Sequence, residues 1–169
     1  TDDTAVLALS NSTAAAAADG IITLNAGFES VSLASNGTVN NQVGALNSGT
    51  ATTLTLTGAN PLQIRSALTA AVLTVAGGDS TGNIVLSTDA AAGNAVSVTT
   101  GSGIDNITFV GANAAADTVS TGDGNDTITF TATLGNTDVI DGGTGTNTLA
   151  GDDGELAALT AAGNNVSNI

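Results

Sequence analysis

The sequence predicts an all-β chain wound as a parallel β-solenoid, β-roll-like in its coils, with short helical turns between some strands. Two observations predict it. Short runs in which Val, Ile, Leu and Thr alternate recur along the chain, separated by turns rich in Gly and Asn. Three 21-residue blocks also align without a gap, starting at Gly101 (GSGIDNITFVGANAAADTVST), Gly122 (GDGNDTITFTATLGNTDVIDG) and Gly143 (GTGTNTLAGDDGELAALTAAG). A polar turn followed by a short strand with one inward aliphatic cannot bury its apolar face alone. Stacking such coils at roughly 4.8 Å buries it. An antiparallel β-sandwich of hairpins is the alternative with the same spacing.

Composition points the same way. The 169 residues include 22 Gly, one Pro and three Phe, with no Trp, Tyr, Met, Cys or His. A core of bulky aromatics is therefore impossible, and small aliphatics must pack in layers. Regular alternation with a mean hydropathy of +0.30 argues against a wholly disordered chain.

In chain order, β-patterned runs fall at Ala5–Leu9, Ile21–Leu24, Ser30–Leu33, Thr53–Thr57, Ala71–Val75, Asn83–Ser87, Ala95–Thr99, Ile107–Val110 and Thr127–Thr131. Ser12–Asp19 and Gly154–Ala162 are Ala-rich without alternation and read as short helices. Pro61–Ala71 reads as a further helical turn opened by its proline. Three regions follow: a Thr/Ala/Asn/Gly-rich, solenoid-like part over 1–99, the repeat coils over 100–150, and a short helix with the start of another unit over 151–169. Asp3–Phe28 resembles Asn147–Ile169, which predicts one unit of a longer tandem array.

The aligned blocks define columns. Gly101/Gly122/Gly143, Gly103/Gly124/Gly145, Asp105/Asp126/Asn147, Ile107/Ile128/Leu149 and Phe109/Phe130 match. A second set, Asp117/Asp138 followed by Val119/Ile140, divides each coil into arms of 12 and 9 residues. Upstream, Asn83, Asn94 and Asp105 are spaced by 11, each followed two residues on by an aliphatic (Val85, Val96, Ile107).

Charge excludes several functions. Fifteen acids against one base, Arg65, give a net charge of −14. Nucleic acid and anionic membrane surfaces need the Lys and Arg this chain lacks. No apolar run approaches the ~20 residues of a membrane-spanning helix. Without His, Cys or Tyr there is no ordinary base or nucleophile, and without aromatic platforms paired carboxylates do not read as a glycosidase, so no enzyme is expected. An acidic, soluble chain invites cations instead.

TGSGIDNIT (100–108) and TGDGNDTIT (121–129) resemble the glycine- and aspartate-rich nonapeptide of the repeats-in-toxin family, GGxGxDxUx, with Thr in place of the first Gly. GGTGTNTLA (142–150) keeps both glycines and carries Asn147 for the Asp. The resemblance implies Ca²⁺ between coils, held by Asp105, Asp126 and Asn147 with carbonyls around Gly101, Gly103, Gly122, Gly124, Gly143 and Gly145. Asp117, Asp138 and Asp141 are subsidiary candidates, because the 12-residue arm lacks the double glycine, and so is Asp123, which stands at a variable position of the motif. The chemistry agrees, since Ca²⁺ takes six to eight oxygens and needs neither His nor Cys. Two equivalent carboxylates about 5 Å apart at an effective dielectric of 20 repel by roughly 3 kcal/mol, which a cation relieves. Without metal, each such turn is an Asx-turn closing a strand connection. Asp152, Asp153 and Glu155 read as carboxylates at a helix N-terminus.

Over the whole chain, composition resembles bacterial surface-layer proteins and large surface proteins exported by type I secretion. That resemblance implies a secreted, extracellular structural module, stabilised by calcium and assembling with itself into a cell-surface layer or a filament, with cell-surface polysaccharide as a further partner. The alternatives are an adhesin stalk, the calcium-binding repeat region of a secreted enzyme, and an ice-binding solenoid built on the Thr-x-Thr runs at Thr53–Thr57 and Thr127–Thr131.

Overall fold

The computed structural model describes residues 2–10, 20–89, 93–111, 115–132, 134–151 and 165–169. Sixteen strands are seen among them: β1 (Thr4–Ser10), β2 (Ile21–Thr23), β3 (Ser30–Asn36), β4 (Asn41–Val43), β5 (Ala45–Asn47), β6 (Thr53–Thr57), β7 (Leu62–Ile64) and β8 (Thr74–Ala76) come first. They are followed by β9 (Ile84–Asp89), β10 (Ser97–Thr99), β11 (Asn106–Val110), β12 (Thr118–Ser120), β13 (Thr127–Phe130), β14 (Val139–Asp141), β15 (Thr148–Ala150) and β16 (Asn165–Ser167). The strand pairings among the described residues are all parallel, and alternate strands join one of two main sheets, so the chain is a β-solenoid of about six turns rather than a sandwich.

One sheet has the order β1-β3-β6-β8-β10-β12-β14-β16, the other β15-β13-β11-β9-β7-β4, and β2 pairs β5 separately. Side chains alternate between the two faces of each strand. On the eight-stranded sheet one inward column runs Ala5, Val31, Leu54, Val75, Val98, Val119, Ile140, Val166. From Val31 to Ile140 these are almost fully buried. Facing it, Leu86, Ile107, Ile128 and Leu149 form a second column. Beside them Phe109 and Phe130 stack with ring centroids 4.5 Å apart and planes 5° from parallel. The aromatic and aliphatic columns expected of the aligned blocks are thus paired in register.

Three expectations are corrected. Pro61–Ala71 is not a helical turn: Leu62–Ile64 is strand β7, its Leu and Ile buried against the core, and the later part only closes a turn in which Val72 N donates to Thr69 O. The strand expected at Ala71–Val75 begins instead at Thr74, after that turn. The upstream 11-residue spacing does not mark equivalent positions. Asn106 pairs with Val85, so Ile107 stands on Leu86 and Asp105 is level with Ile84, while Val85 faces outward. A one-residue shift of register exchanges the two faces of a strand, and the amide at Asn83 misplaces it by that step.

The eight-stranded sheet runs through residue 100 without a break, since β10 pairs both β8 and β12. Asn165–Ser167 adds a further rung on β14. The expected helices at Ser12–Asp19 and Gly154–Ala162, with Asp152, Asp153 and Glu155, lie outside the described residues.

Candidate metal centre in the carboxylate turns

Each coil in the repeat region enters its two sheets through an aspartate. Asp105, Asp126 and Asn147 immediately precede β11, β13 and β15; Asp117 and Asp138 immediately precede β12 and β14. The first column continues an inward row of the core. Asn41, Leu62 and Ile84 pair in register, and Asp105 and Asp126 come next along that row. Acids at inward positions are consequently buried, with relative exposures of 1% for both Asp105 and Asp126.

Hydrogen bonds string this column together. Ile84 N donates to Asp105 Oδ1 (2.6 Å), Asp105 N to Asp126 Oδ1 (2.8 Å), and Asp126 N to Asn147 Oδ1 (2.9 Å). The main chain is tied one residue on, Thr127 N donating to Asp105 O and Thr148 N to Asp126 O. Each side chain thus uses one oxygen to staple its coil to the preceding one. The second oxygens differ. Asp105 Oδ2 and Asp126 Oδ2 are buried and meet no hydrogen-bond donor. Asn147 carries nitrogen there, and its Nδ2 donates to Asn168 O at 3.0 Å. The asparagine closes the column by supplying a proton where the carboxylates offer only lone pairs.

Burial is the main cause that raises the Asp105 pKa, with the Asp126 charge adding a little; the nearby Thr100 hydroxyl and the Ile84 N–H oppose it, although the geometry gives the Thr100 proton to Thr121 O rather than to the carboxylate. Threonine at the first motif position, where the family pattern has glycine, has a role of its own. Thr100 Oγ1 donates to Thr121 O (3.0 Å), and Thr121 Oγ1 to Gly142 O (3.1 Å), inside the stack. A second signal missed in the sequence is the asparagine one residue before the inward row, at Asn83 before Ile84 and Asn125 before Asp126. Asn83 Oδ1 accepts from Ile104 N (2.9 Å) and Asn125 Oδ1 from Thr146 N (2.8 Å), so the Asn of the NDT triplet is an inter-coil staple.

The glycines do two jobs. Gly101 O and Gly122 O accept ladder bonds from Asp123 N (2.9 Å) and Thr144 N (2.8 Å). Gly103 O and Gly124 O point instead at the glycine one coil further on, Gly124 and Gly145. Gly124 has a φ of 148°, and a Cβ there would collide with the Gly103 carbonyl oxygen, so no other residue fits without backbone movement. Gly143 and Gly145 belong to the same stack, each lying against the carbonyl of the glycine one coil before.

At the other corner the acids are satisfied differently. Val96 N donates to Asp117 Oδ1 (2.8 Å), Asp117 N to Asp138 Oδ1 (2.9 Å), and Gly135 N to Asp138 Oδ2 (2.8 Å). Burial raises the Asp117 pKa, opposed by the Val96 N–H and assisted by the Asp138 charge. Asp123 is exposed and accepts from Thr144 Oγ1 at 2.7 Å. Asp141 accepts from Asn168 Nδ2 (2.7 Å) and Gly143 N (3.0 Å), and these bonds hold its pKa below the ordinary carboxylate range. Among the described residues no three Asp, Glu, His or Cys side chains come together. The arrangement is therefore a two-carboxylate column, fitted to a cation or to protons at the two Oδ2 positions.

Comparison with protein-family models, with curated proteins and with solved structures finds no match for the chain.

Proposed function

We propose that this chain is a secreted structural module of an extracellular assembly, stabilised by calcium at the Asp105–Asp126 column. One observation carries the reading: two buried carboxylates on adjacent coils each keep an oxygen that meets no hydrogen-bond donor. A buried ionised oxygen without a donor costs several kcal/mol, and a divalent cation removes that cost by supplying positive charge. The donor set is hard oxygen throughout, which suits Ca²⁺. Asp105 and Asp126 would hold it through Oδ2, while Asn147 closes the column without offering a second oxygen. Asp117 and Asp138 serve as strand-entry staples.

In this reading the acidic turns remain unfolded where Ca²⁺ is scarce and fold outside the cell, where binding and folding are linked. The solenoid then presents two stacked sheets to neighbouring copies in a surface layer or filament. The test is a thermal melt with Ca²⁺ and after exhaustive chelation, read together with light scattering. A melting temperature and strand signal unchanged by chelation would overturn calcium stabilisation. A calcium-loaded protein that stays monomeric at all concentrations would favour the stalk or enzyme-appendage alternatives over the lattice.

A second reading has its own observation. Outward on the eight-stranded sheet, Thr4, Ser30, Thr53, Thr74, Ser97 and Thr118 pair in one register row. A flat hydroxyl row of this kind is what an ice-binding face requires. Thermal hysteresis absent from concentrated protein removes that reading.

A further inference from the structure

Outside the carboxylate turns, the outer face of the second sheet holds a recess of about 200 Å³ spanning β4, β7 and β9. Its rim is amide-rich: Asn40, Gln42, Gln63 and Asn83, with Pro61 and Val85 as apolar surface. Register creates this cluster, since Gln42 pairs with Gln63 and Gln63 with Val85, so residues some twenty positions apart stand about 4.8 Å from one another. Arg65, the sole base of the chain, stands at the margin, with Nη2 donating to Gln42 Oε1 at 2.7 Å.

The lining contrasts with the rest of the molecule. The chain has fifteen acids, and none of those among the described residues lines this recess. A carboxylate-free concavity on a protein of net charge −14 is not built for a metal or a cationic peptide. Neither does one arginine, already bonded to Gln42, make a phosphate site. Amide side chains each carry donors and acceptors, and so match groups that are themselves both donor and acceptor. Hydroxyls on a sugar ring are such groups, and the ring's C–H face suits Pro61 and Val85. At about 200 Å³ the recess is smaller than the roughly 300–1,000 Å³ typical of drug-sized ligands, so it suits a single sugar unit held from the surface.

We infer that this recess is a binding site for a neutral saccharide unit, engaging an external polysaccharide one residue at a time. The inference stands apart from calcium stabilisation, because neither Asp105 nor Asp126 lines the recess. Shallow, solvent-open contacts of this kind give weak single-site binding. Repetition of copies in an assembly would then supply avidity.

The test is an NMR titration of ¹⁵N-labelled protein with maltohexaose, cellohexaose and chitohexaose, repeated after chelation under conditions where the chain remains folded. Expected are saturable shifts of the side-chain amide signals of Gln42, Gln63, Asn40 and Asn83 for at least one neutral oligosaccharide, with millimolar affinity. Gln63→Ala should weaken that binding by about tenfold, the loss of one good hydrogen-bonding group. A melting temperature equal to that of the parent would show the variant to be folded. Failure of all three oligosaccharides to shift these signals overturns the inference. So does binding that Gln63→Ala leaves unchanged, or polygalacturonate binding more tightly than every neutral chain. Loss of calcium response alone leaves the saccharide site standing, and loss of saccharide binding leaves the calcium reading standing.

Discussion

Asp126 and Asp138 look interchangeable: each precedes a short strand, each is 1% exposed, and each staples a backbone N–H of the preceding coil. Their second oxygens separate them. Three residues before Asp138, Gly135 N turns inward and donates to Oδ2. Three residues before Asp126, Asp123 N is committed to the ladder and donates to Gly101 O; the same holds for Ser102 N, three before Asp105, which donates to Ser80 O. Gly135 belongs to the 12-residue arm that ends at Asp138, and Asp123 to the nine-residue arm that ends at Asp126. The longer arm has three more residues in which to form a local turn, and there the turn amide meets the acid rather than the ladder.

Four experiments break or sharpen this contrast. Calcium removal carries the largest effect. With free Ca²⁺ at 100 to 1,000 times its dissociation constant, chelation is expected to remove roughly 3–4 kcal/mol. For a chain of this size that is a fall of about 10 °C in melting temperature. Asp105→Asn combined with Asp126→Asn should abolish the calcium dependence, while Asp117→Asn should retain it; calorimetry with and without Ca²⁺ reads both.

Next comes an asparagine swap in calcium-free protein. Asp138→Asn puts an NH₂ against one of two backbone donors whichever way the amide turns, and should cost about 1–3 kcal/mol. Asp126→Asn replaces a donor-less oxygen with nitrogen and removes a buried charge. It should be neutral or stabilising by about 1 kcal/mol. Equal destabilisation of the two variants in urea unfolding would abolish the distinction between the corners.

Acidity gives a smaller effect, with a definite sign. Folding raises the Asp105 and Asp117 pKa values, so the native state binds protons more readily than the unfolded chain between the ordinary aspartate value of about 3.9 and the raised ones. Stability from these groups is therefore lost as pH rises through that window and regained on acidification. Asp141, with its pKa lowered, works oppositely, losing stability as pH falls through its folded value below the ordinary one. Calcium-free protein should melt higher just above the ordinary aspartate value of about 3.9 than at neutral pH, and added Ca²⁺ should flatten or reverse the trend. A calcium-free melting temperature that rises steadily with pH over that range contradicts the burial of Asp105. Smallest of all, Asp123→Ala removes one exposed hydrogen bond to Thr144 and should move the melting temperature by less than about 2 °C.

Much of the fold was legible because a solenoid converts sequence period into spatial stacking. Gly122 and Gly143, Ile107 and Ile128, Phe109 and Phe130, Val119 and Ile140 meet across coils because each pair is 21 residues apart. Legibility declined where the period changed. Ser30 pairs with Thr53, Ile21 with Ala45 and Leu62 with Ile84, at separations that differ from 21, so the gapless alignment of the blocks does not carry back through β9 to β4, β5 or β7. Leu62–Ile64 reads as a helical turn because three residues carry too little pattern to reveal a strand, and pairing with β4 and β9 supplies what the local sequence lacks.

While the parallel pairing that excludes a sandwich came from the structure, the sequence by itself determined the 21-residue β-rich repeat, the small-residue core, the strong negative charge and the columns in which acids recur. These are properties of composition and period, which survive any detail of packing. Only the tertiary structure decided that Asp105 and Asp126 continue the inward row of Leu62 and Ile84, and that their Oδ2 atoms lack donors while Asp138's does not. It alone brought Gln42, Gln63 and Val85 side by side. The reason is physical: identity and spacing fix which residues can stack. Which backbone amides are left over to meet them depends on the register and slack of every arm in the coil.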